Sequence, residues 1–416
     1  MMNNQVIVIG DLMLDEYCNG VANRISPESP VPVVDSVKET HHLGGAGNVA
    51  QNVRVFTKDV TLYSSVGYDK DSEIITAILA DEGIEYNLKY GCNSKTLKKT
   101  RILANEHQLC RIDSGVIKDE ANAPTQSPDV IILSDYNKGT LSESYIQDII
   151  DNNTCPVLVD PKGTDWNKYR GAFCLTPNKK EFEETYGVFT AMNALRVVKE
   201  LKLDGILVTL GAGGMHWIGR DASSIYLPTE AKEVIDVTGA GDTVIATFAL
   251  FLPKGVKNAM KYSNKAAGNV VSKLGTATPD KAAVKETVVF TNGCFDIIHS
   301  GHIALLQKAS RFGDRLIVGL NSDNSVRRIK REPVNDMYER KAVLEAIDGV
   351  DSVIIFEDDT PYDLIKTLEP DILIKGGDYT FDEVIGNDLV ENVVIIPTIE
   401  GKSTTNTIER VKNGKD

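Results

Sequence analysis

The chain has 416 residues, 42% hydrophobic and 25% charged, which is ordinary globular composition and too apolar for wholesale disorder. At ~150 residues per domain the length calls for two or three domains. With 45 Lys and Arg against 59 Asp and Glu, the net charge of −14 argues against a nucleic-acid partner, and no apolar run approaches the ~18 residues of a membrane span. Cysteines 18, 92, 110, 155, 174 and 294 are scattered without a CxxC pair, so neither disulfides nor a zinc cluster is indicated and a cytoplasmic location is expected.

Val6–Ile9 opens the chain as a buried strand, with Asp11 just beyond it. Pro30–Val37, Val60–Val66 and Leu97–Leu103 read as strands without intervening helices, which predicts a small β layer beside the main sheet, placed to act as a lid. Gly45-x-Gly47-x-x-Ala50 has dinucleotide-like spacing, but no strand is expected directly before it and no acidic ribose partner follows at the required distance. Asn122–Pro128 reads as a surface loop. Val130–Leu133, Val157–Val159 and Ile206–Val208 alternate with helical patterns, so the class is α/β, with a mostly parallel sheet covered on both faces.

Asp236–Thr243 then leads into an apolar run, Val244–Leu252, that suits a buried helix. Gly239, Ala240 and Gly241 form a tight turn whose first-turn N–H groups make an anion site. Asp242 sits beside that anion, where a carboxylate can accept a proton from an attacking hydroxyl, although a lone Asp at such a place is more often a cap. No GxxxxGK[ST] occurs, which excludes a P-loop kinase. The pattern pauses at Gly275–Asp280, and a fresh strand opens at Thr287. Two domains are therefore expected, 1–280 and 286–416. In the second, a strand at Val288–Phe290 runs into Asn292-Gly-Cys-Phe-Asp296 and His299-Ser-Gly-His302, followed by a helix and a strand at Leu316–Leu320. Two imidazoles at a helix N-terminus can stabilise charge developing on a phosphate, whereas His at i, i+3 without further ligands is poor zinc spacing.

Asp236–Thr243 resembles the C-terminal signature of the ribokinase-like PfkB sugar kinases. His42–Ala50 is similar to that family's N-terminal glycine motif, which implies that Gly44, Gly45 and Asn48 bind the sugar and that Asp11 accepts from a sugar hydroxyl. Thr176–Glu181 resembles its Asn-x-x-Glu motif, which implies ATP and Mg²⁺ placement by Asn178, Lys179, Lys180 and Glu181. Arg24–Pro32, Leu133–Gly139 and Asp160–Asp165 look more particular, like the kinase half of the bifunctional heptose 7-phosphate kinase / heptose 1-phosphate adenylyltransferase family. In that likeness Arg24, Lys138 and Lys162 serve the sugar's distal phosphate. Asn292–His302 resembles the HxGH nucleotidyltransferases, which implies nucleotide binding by Asn292, Gly293, Phe295 and Asp296. The same likeness extends to Lys330, Arg340, Lys375, Gly377, Asp378, Ser403, Thr404 and Thr405.

The resemblance implies a ribokinase-like three-layer domain with a small β lid, followed by a smaller Rossmann-like nucleotidyltransferase domain. It also implies a homodimer that uses ATP, with Mg²⁺ carried by the nucleotide rather than by a protein-only site. The implied reactions are phosphorylation of the heptose at C1 and adenylyl transfer to give ADP-heptose and pyrophosphate. The segments 113–130, 187–201 and 278–287 are short for this pattern. Rival readings are the same chemistries on another phosphosugar, or a non-catalytic scaffold.

Overall fold

Apolar β-branched runs without polar alternation form strands covered on both faces. The computed structural model describes residues 4–397, apart from 106, 232, 274, 378 and the side chains of 36 and 37. It divides into two units, Met1–Val284 and Lys285–Asp416.

In the first unit the strands are β1 (Val6–Gly10), β2 (Leu12–Ile25), β3 (Pro32–Gly45), β4 (Val60–Gly67), β5 (Glu85–Gly91), β6 (Lys95–Ala104) and β7 (His107–Val116). They continue with β8 (Val130–Ser134), β9 (Val157–Asp160), β10 (Cys174–Leu175), β11 (Gly205–Thr209), β12 (Met215–Gly219) and β13 (Ser224–Leu227). Nine of them form one sheet in the order β13-β12-β11-β10-β9-β8-β1-β4-β5. It is parallel from β11 to β5, with β12 and β13 added antiparallel. β1 lies inside it between β8 and β4, Val6 opposite both Val60 and Val130. Alternation along β1 separates two cores: Val6 and Val8 join residues of the helices Ala46–Arg54 and Ala240–Phe251, and Ile7 and Ile9 join those of Glu143–Asn152 and Ala191–Glu200.

The other four strands make a second sheet, β3-β2-β6-β7. Val60–Val66 does not belong to it: that run is fully buried and pairs with β1 in the main sheet. A strand also does precede the glycine motif, since β3 runs directly into the helix at Ala46. β3, however, pairs antiparallel with β2, Leu12 opposite Gly45, so the segment is a lid strand feeding a helix and not a βαβ nucleotide unit. No α-helix lies between β7 and β8.

The second unit carries β14 (Val288–Gly293), β15 (Arg315–Asn321), β16 (Ser352–Phe356), β17 (Ile372–Gly376) and β18 (Asn392–Ile396), all parallel, in the order β16-β15-β14-β17-β18. The strand order reverses at β14, which opens a crevice at the carboxyl ends of β14 and β17. A 3-10 turn, Lys281–Val284, closes the first unit, with Val284 in its core. Among the described residues no helix is long and apolar enough to cross a membrane.

Each unit has its own core, so we propose that the division is also a folding boundary. A chain cleaved between Val284 and Lys285 is expected to give two pieces that each unfold cooperatively in urea. A non-cooperative 285–416 piece would contradict it.

Candidate functional site

The first site forms where the helix Ala240–Phe251 begins. Its N-cap, Gly239, has φ 77°, a left-handed conformation, and a Cβ there would lie 2.8 Å from Asn48 Nδ2, so both backbone and space require glycine. Ala240 N–H donates to Val237 O and Thr243 N–H to Gly239 O, leaving the Gly241 and Asp242 N–H groups as first-turn donors for an anion. The turn is held by Asp236, which accepts from Thr238 N–H and Gly275 N–H.

Asp242 is 6% exposed. Asn48 donates from Nδ2 to its Oδ2 (2.7 Å), and Tyr136 donates from its hydroxyl to Oδ1 (3.2 Å). Burial raises its pKa to about 6, against the pull of those two hydrogen bonds and of the Lys99 charge. The carboxylate is thus a ready proton acceptor at neutral pH and not a helix cap. Asn48 comes from the helix that β3 feeds. At that junction Gly45 has φ 58°, and a Cβ would lie 2.3 Å from Asp11 O. Gly44 packs beside Asp15.

Several expected ligands have other work. Asp11 is fully buried and accepts backbone N–H groups of Tyr136 (2.9 Å), Lys138 (3.0 Å) and Thr140 (3.1 Å), so it organises the loop after β8. Asn178 and Glu181 cap the helix Lys179–Tyr186 reciprocally, and Lys179 and Lys180 lie along that helix toward Glu183 and Glu184. Lys162 pairs with Glu181, which places it near the Asn-x-x-Glu motif and away from the lid. Arg24 is exposed and faces Asp35 at 3.6 Å. Of the three cations expected at a distal phosphate, Arg24 lies at the exposed end of lid strand β2, and Lys138 lines a small recess with Met13, Leu97, Lys98, Lys99 and Asp113.

β6 supplies cations that sequence reasoning missed. Lys99 lies over the Tyr136 ring at 5.1 Å, and Arg101 pairs with buried Asp15 at 3.1 Å. The only sequence signal was the alternation Lys98-Lys-Thr-Arg101 on a strand already marked as lid.

The second site lines a cavity of 470 Å³ at the carboxyl ends of β14 and β17. His299 is the N-cap of the helix Ser300–Ala309, and its ring stacks on His302 at 3.9 Å and 20°. Burial, then the His299 and Lys330 charges, push His302 down to about 4, so it is neutral at pH 7. Phe295 props it edge-on at 5.1 Å from a left-handed backbone, φ 44°, a strained position for a buried aromatic. Lys375 donates to Asn292 Oδ1 (3.1 Å), and burial lowers its pKa. Gly293 and Lys330 line the same cavity. Gly377 follows β17 with φ 133°.

Two residues expected at the nucleotide are structural. Asp296 accepts from Val334 and Asn335 N–H and pairs with Arg331, fixing the 331–335 loop. Arg340 has no exposed side-chain surface: it donates to the carbonyls of Asn335, Cys294 and Asn321 and pairs with Asp323 at 2.7 Å, so four of its five N–H groups are engaged within the unit. Asp378, Ser403, Thr404 and Thr405 lie outside the described residues.

A family model described as pfkB family carbohydrate kinase matches residues 3–283, and one described as cytidylyltransferase-like matches 290–409. The chain is 41% identical over 468 aligned positions to the Bifunctional protein HldE of a Nitratiruptor species, covering 99% of this chain and 100% of that one. It is 42% identical over 465 positions to the HldE of Trichlorobacter lovleyi, covering 97% and 95%. Both alignments are longer than the chain itself, so the shared length is kept through deletions. Among solved structures, Arabidopsis thaliana ribokinase complexed with ribose and ATP covers 68% of this chain and 98% of its own at a TM-score of 0.55 and 20% identity. Escherichia coli phosphofructokinase-2 covers 68% and 97% at 0.55 and 16%. At these identities the likeness is one of fold.

Replacing a buried cation that donates four hydrogen bonds leaves its partners unpaired. Arg340→Met is therefore expected to destabilise the second unit by about 3–5 kcal/mol in urea unfolding. A loss under about 1 kcal/mol would show that the network is dispensable.

Proposed function

The chain belongs to the pfkB carbohydrate kinases and, over its full length, to the bifunctional HldE proteins; from that membership we propose that it makes ADP-heptose in two separated steps. It is a sugar kinase joined to a nucleotidyltransferase. The first unit phosphorylates D-glycero-D-manno-heptose 7-phosphate at C1 with ATP. The second transfers AMP from ATP to heptose 1-phosphate and releases pyrophosphate. Removal of the 7-phosphate must intervene, so a phosphomonoester hydrolysis by another enzyme separates the two steps.

The observation that carries the kinase half is the buried Asp242 carboxylate at a helix N-terminus, ionised above about pH 6 and held by Asn48 and Tyr136. Asp242 takes the proton of the C1 hydroxyl as that oxygen attacks, and the Gly241 and Asp242 N–H groups receive the charge of the transferring phosphoryl. Asn48, Gly44 and Gly45 seat the sugar. Lys138 and Lys99, on the lid side, face its distal phosphate.

Mg²⁺ carried by ATP would supply charge neutralisation at the polyphosphate. Asp160 fits it: burial and the Asp242 and Glu181 charges raise its pKa, a repulsion that a hard cation would relieve, and one or two carboxylates plus phosphate oxygens suffice for Mg²⁺, whereas both Glu181 oxygens are engaged by Asn178 N–H and Lys162. Among the described residues no group of three or more His, Cys, Asp or Glu is arranged for a metal.

In the second unit neutral His302 and stacked His299 donate to the α-phosphate oxygens as heptose 1-phosphate attacks, and Lys330 and Lys375 meet the departing pyrophosphate. A His302 kept neutral until the nucleotide arrives provides a hydrogen-bond donor without repelling Lys330.

The two reactions are expected to fail independently. Asp242→Asn should lower heptose phosphorylation ~10² to 10⁴-fold and leave pyrophosphate release intact. His302→Ala should lower pyrophosphate release about 10²-fold at saturating substrates and leave the kinase intact. Kinase activity within a factor of about three of wild type in Asp242→Asn would remove the base assignment. Equal rates on hexose 6-phosphates would point to a different sugar.

A further inference from the structure

A general base must be ionised and also aimed. Asn48 fixes one oxygen of Asp242, and the second oxygen is held from across the site by a residue outside the glycine motifs, Tyr136. We propose that Tyr136 is a positioning residue for the kinase step, which orients the Asp242 carboxylate and keeps it ionised. This rests on the reading of Asp242 as the base.

Tyr136 is itself held firmly. Its N–H donates to Asp11 Oδ2 at 2.9 Å, and Asp11 grips Lys138 and Thr140 of the same loop. Its ring packs against Met13 of β2, Leu97 of β6 and Ile117, and Lys99 of β6 lies over it at 5.1 Å. The hydroxyl is thus aimed by two lid strands and by a buried carboxylate, and a donor fixed in advance costs no reorganisation during reaction. The Asp242 charge and burial raise the Tyr136 pKa well above its usual value, so it stays a neutral donor throughout the working pH range and does not itself act as an acid or base.

The groups that face Asp242 come from five elements. Asn48 from the helix Ala46–Arg54, Tyr136 from the loop after β8 and Lys99 from β6 favour the ionised form. Asp15 of β2, itself paired with Arg101, opposes it, and Asp242 in turn raises the pKa of Asp160 at the end of β9. The Tyr136 hydroxyl is one of two direct hydrogen-bond donors in this balance. Its removal must raise the Asp242 pKa, which moves the acid limb of the kinase profile to higher pH. Above that limb the base is ionised again, and most of the rate returns.

Tyr136→Phe keeps the ring and removes only the oxygen. In the full chain, kcat for ATP-dependent heptose 7-phosphate phosphorylation is measured from pH 5.5 to 9 for wild type and variant, with KM for ATP at each pH. The expected result is an acid limb displaced upward by about one unit, a loss of roughly fivefold at pH 6 from ionisation alone, recovery to within about threefold at pH 8.5, and an ATP KM changed less than about twofold. An unmoved limb, or a uniform loss at every pH, would overturn the proposal and leave the tyrosine a packing residue. Asp242→Asn is assayed alongside. Retained activity there would overturn the base assignment itself, whereas its loss combined with an unmoved Tyr136→Phe limb overturns only the role of Tyr136.

Discussion

Burying a carboxylate costs several kcal/mol unless hydrogen bonds and charges compensate it. Asp242 sits at this limit, 6% exposed, with one donor on each oxygen and its pKa raised to about 6. Much of the first unit is arranged around those contacts. The left-handed Gly239 leaves room for the Asn48 amide, β3 delivers Asn48 by running straight into its helix, and Asp11 holds the loop that brings Tyr136 across. The lid sheet contributes through Lys99 and the Arg101–Asp15 pair, so the strands that cover the site also tune the group that works in it.

The second unit solves a different electrostatic problem with similar means. Its cavity gathers Lys330, Lys375 and His302 for a polyanion, with His299 stacked behind His302, and positive charge on Lys330 and His299 disfavours the protonated His302. The response is to keep His302 neutral and to lower the pKa of Lys375 through burial. Phe295, in a strained backbone, fixes the imidazole in place. The buried Arg340 ties the carbonyls of Cys294, Asn321 and Asn335 together and so shapes the cavity wall without touching its contents.

The parallel strands were legible because runs such as Val130–Leu133 and Ile372–Ile374 are apolar throughout and occur between helical patterns. The lid was only partly legible. β3 carries Lys38-Glu-Thr-His-His42, which has no apolar periodicity, and its length and its union with the following helix come from pairing with β2. Val60–Val66 was misplaced because a strand buried on both faces and one in a small layer look alike over seven residues. The glycine turns located both sites, since backbone conformation demands a residue type. The roles of charged residues were harder to read: Asp11, Asp296, Glu181 and Arg340 sit inside the motifs, but their partners are backbone groups or distant side chains that spacing does not reveal.

The protonation of Asp242 can be observed without turnover. The infrared difference between the wild type and Asp242→Asn, titrated from pH 4 to 8 in the absence of substrates, isolates the carboxyl C=O band of that one side chain. The band is expected to appear with a midpoint near pH 6, the value to which burial raises this carboxyl. A midpoint near 4, the ordinary value for aspartate, would show a solvated carboxylate and would contradict the buried, clamped base on which the kinase site depends.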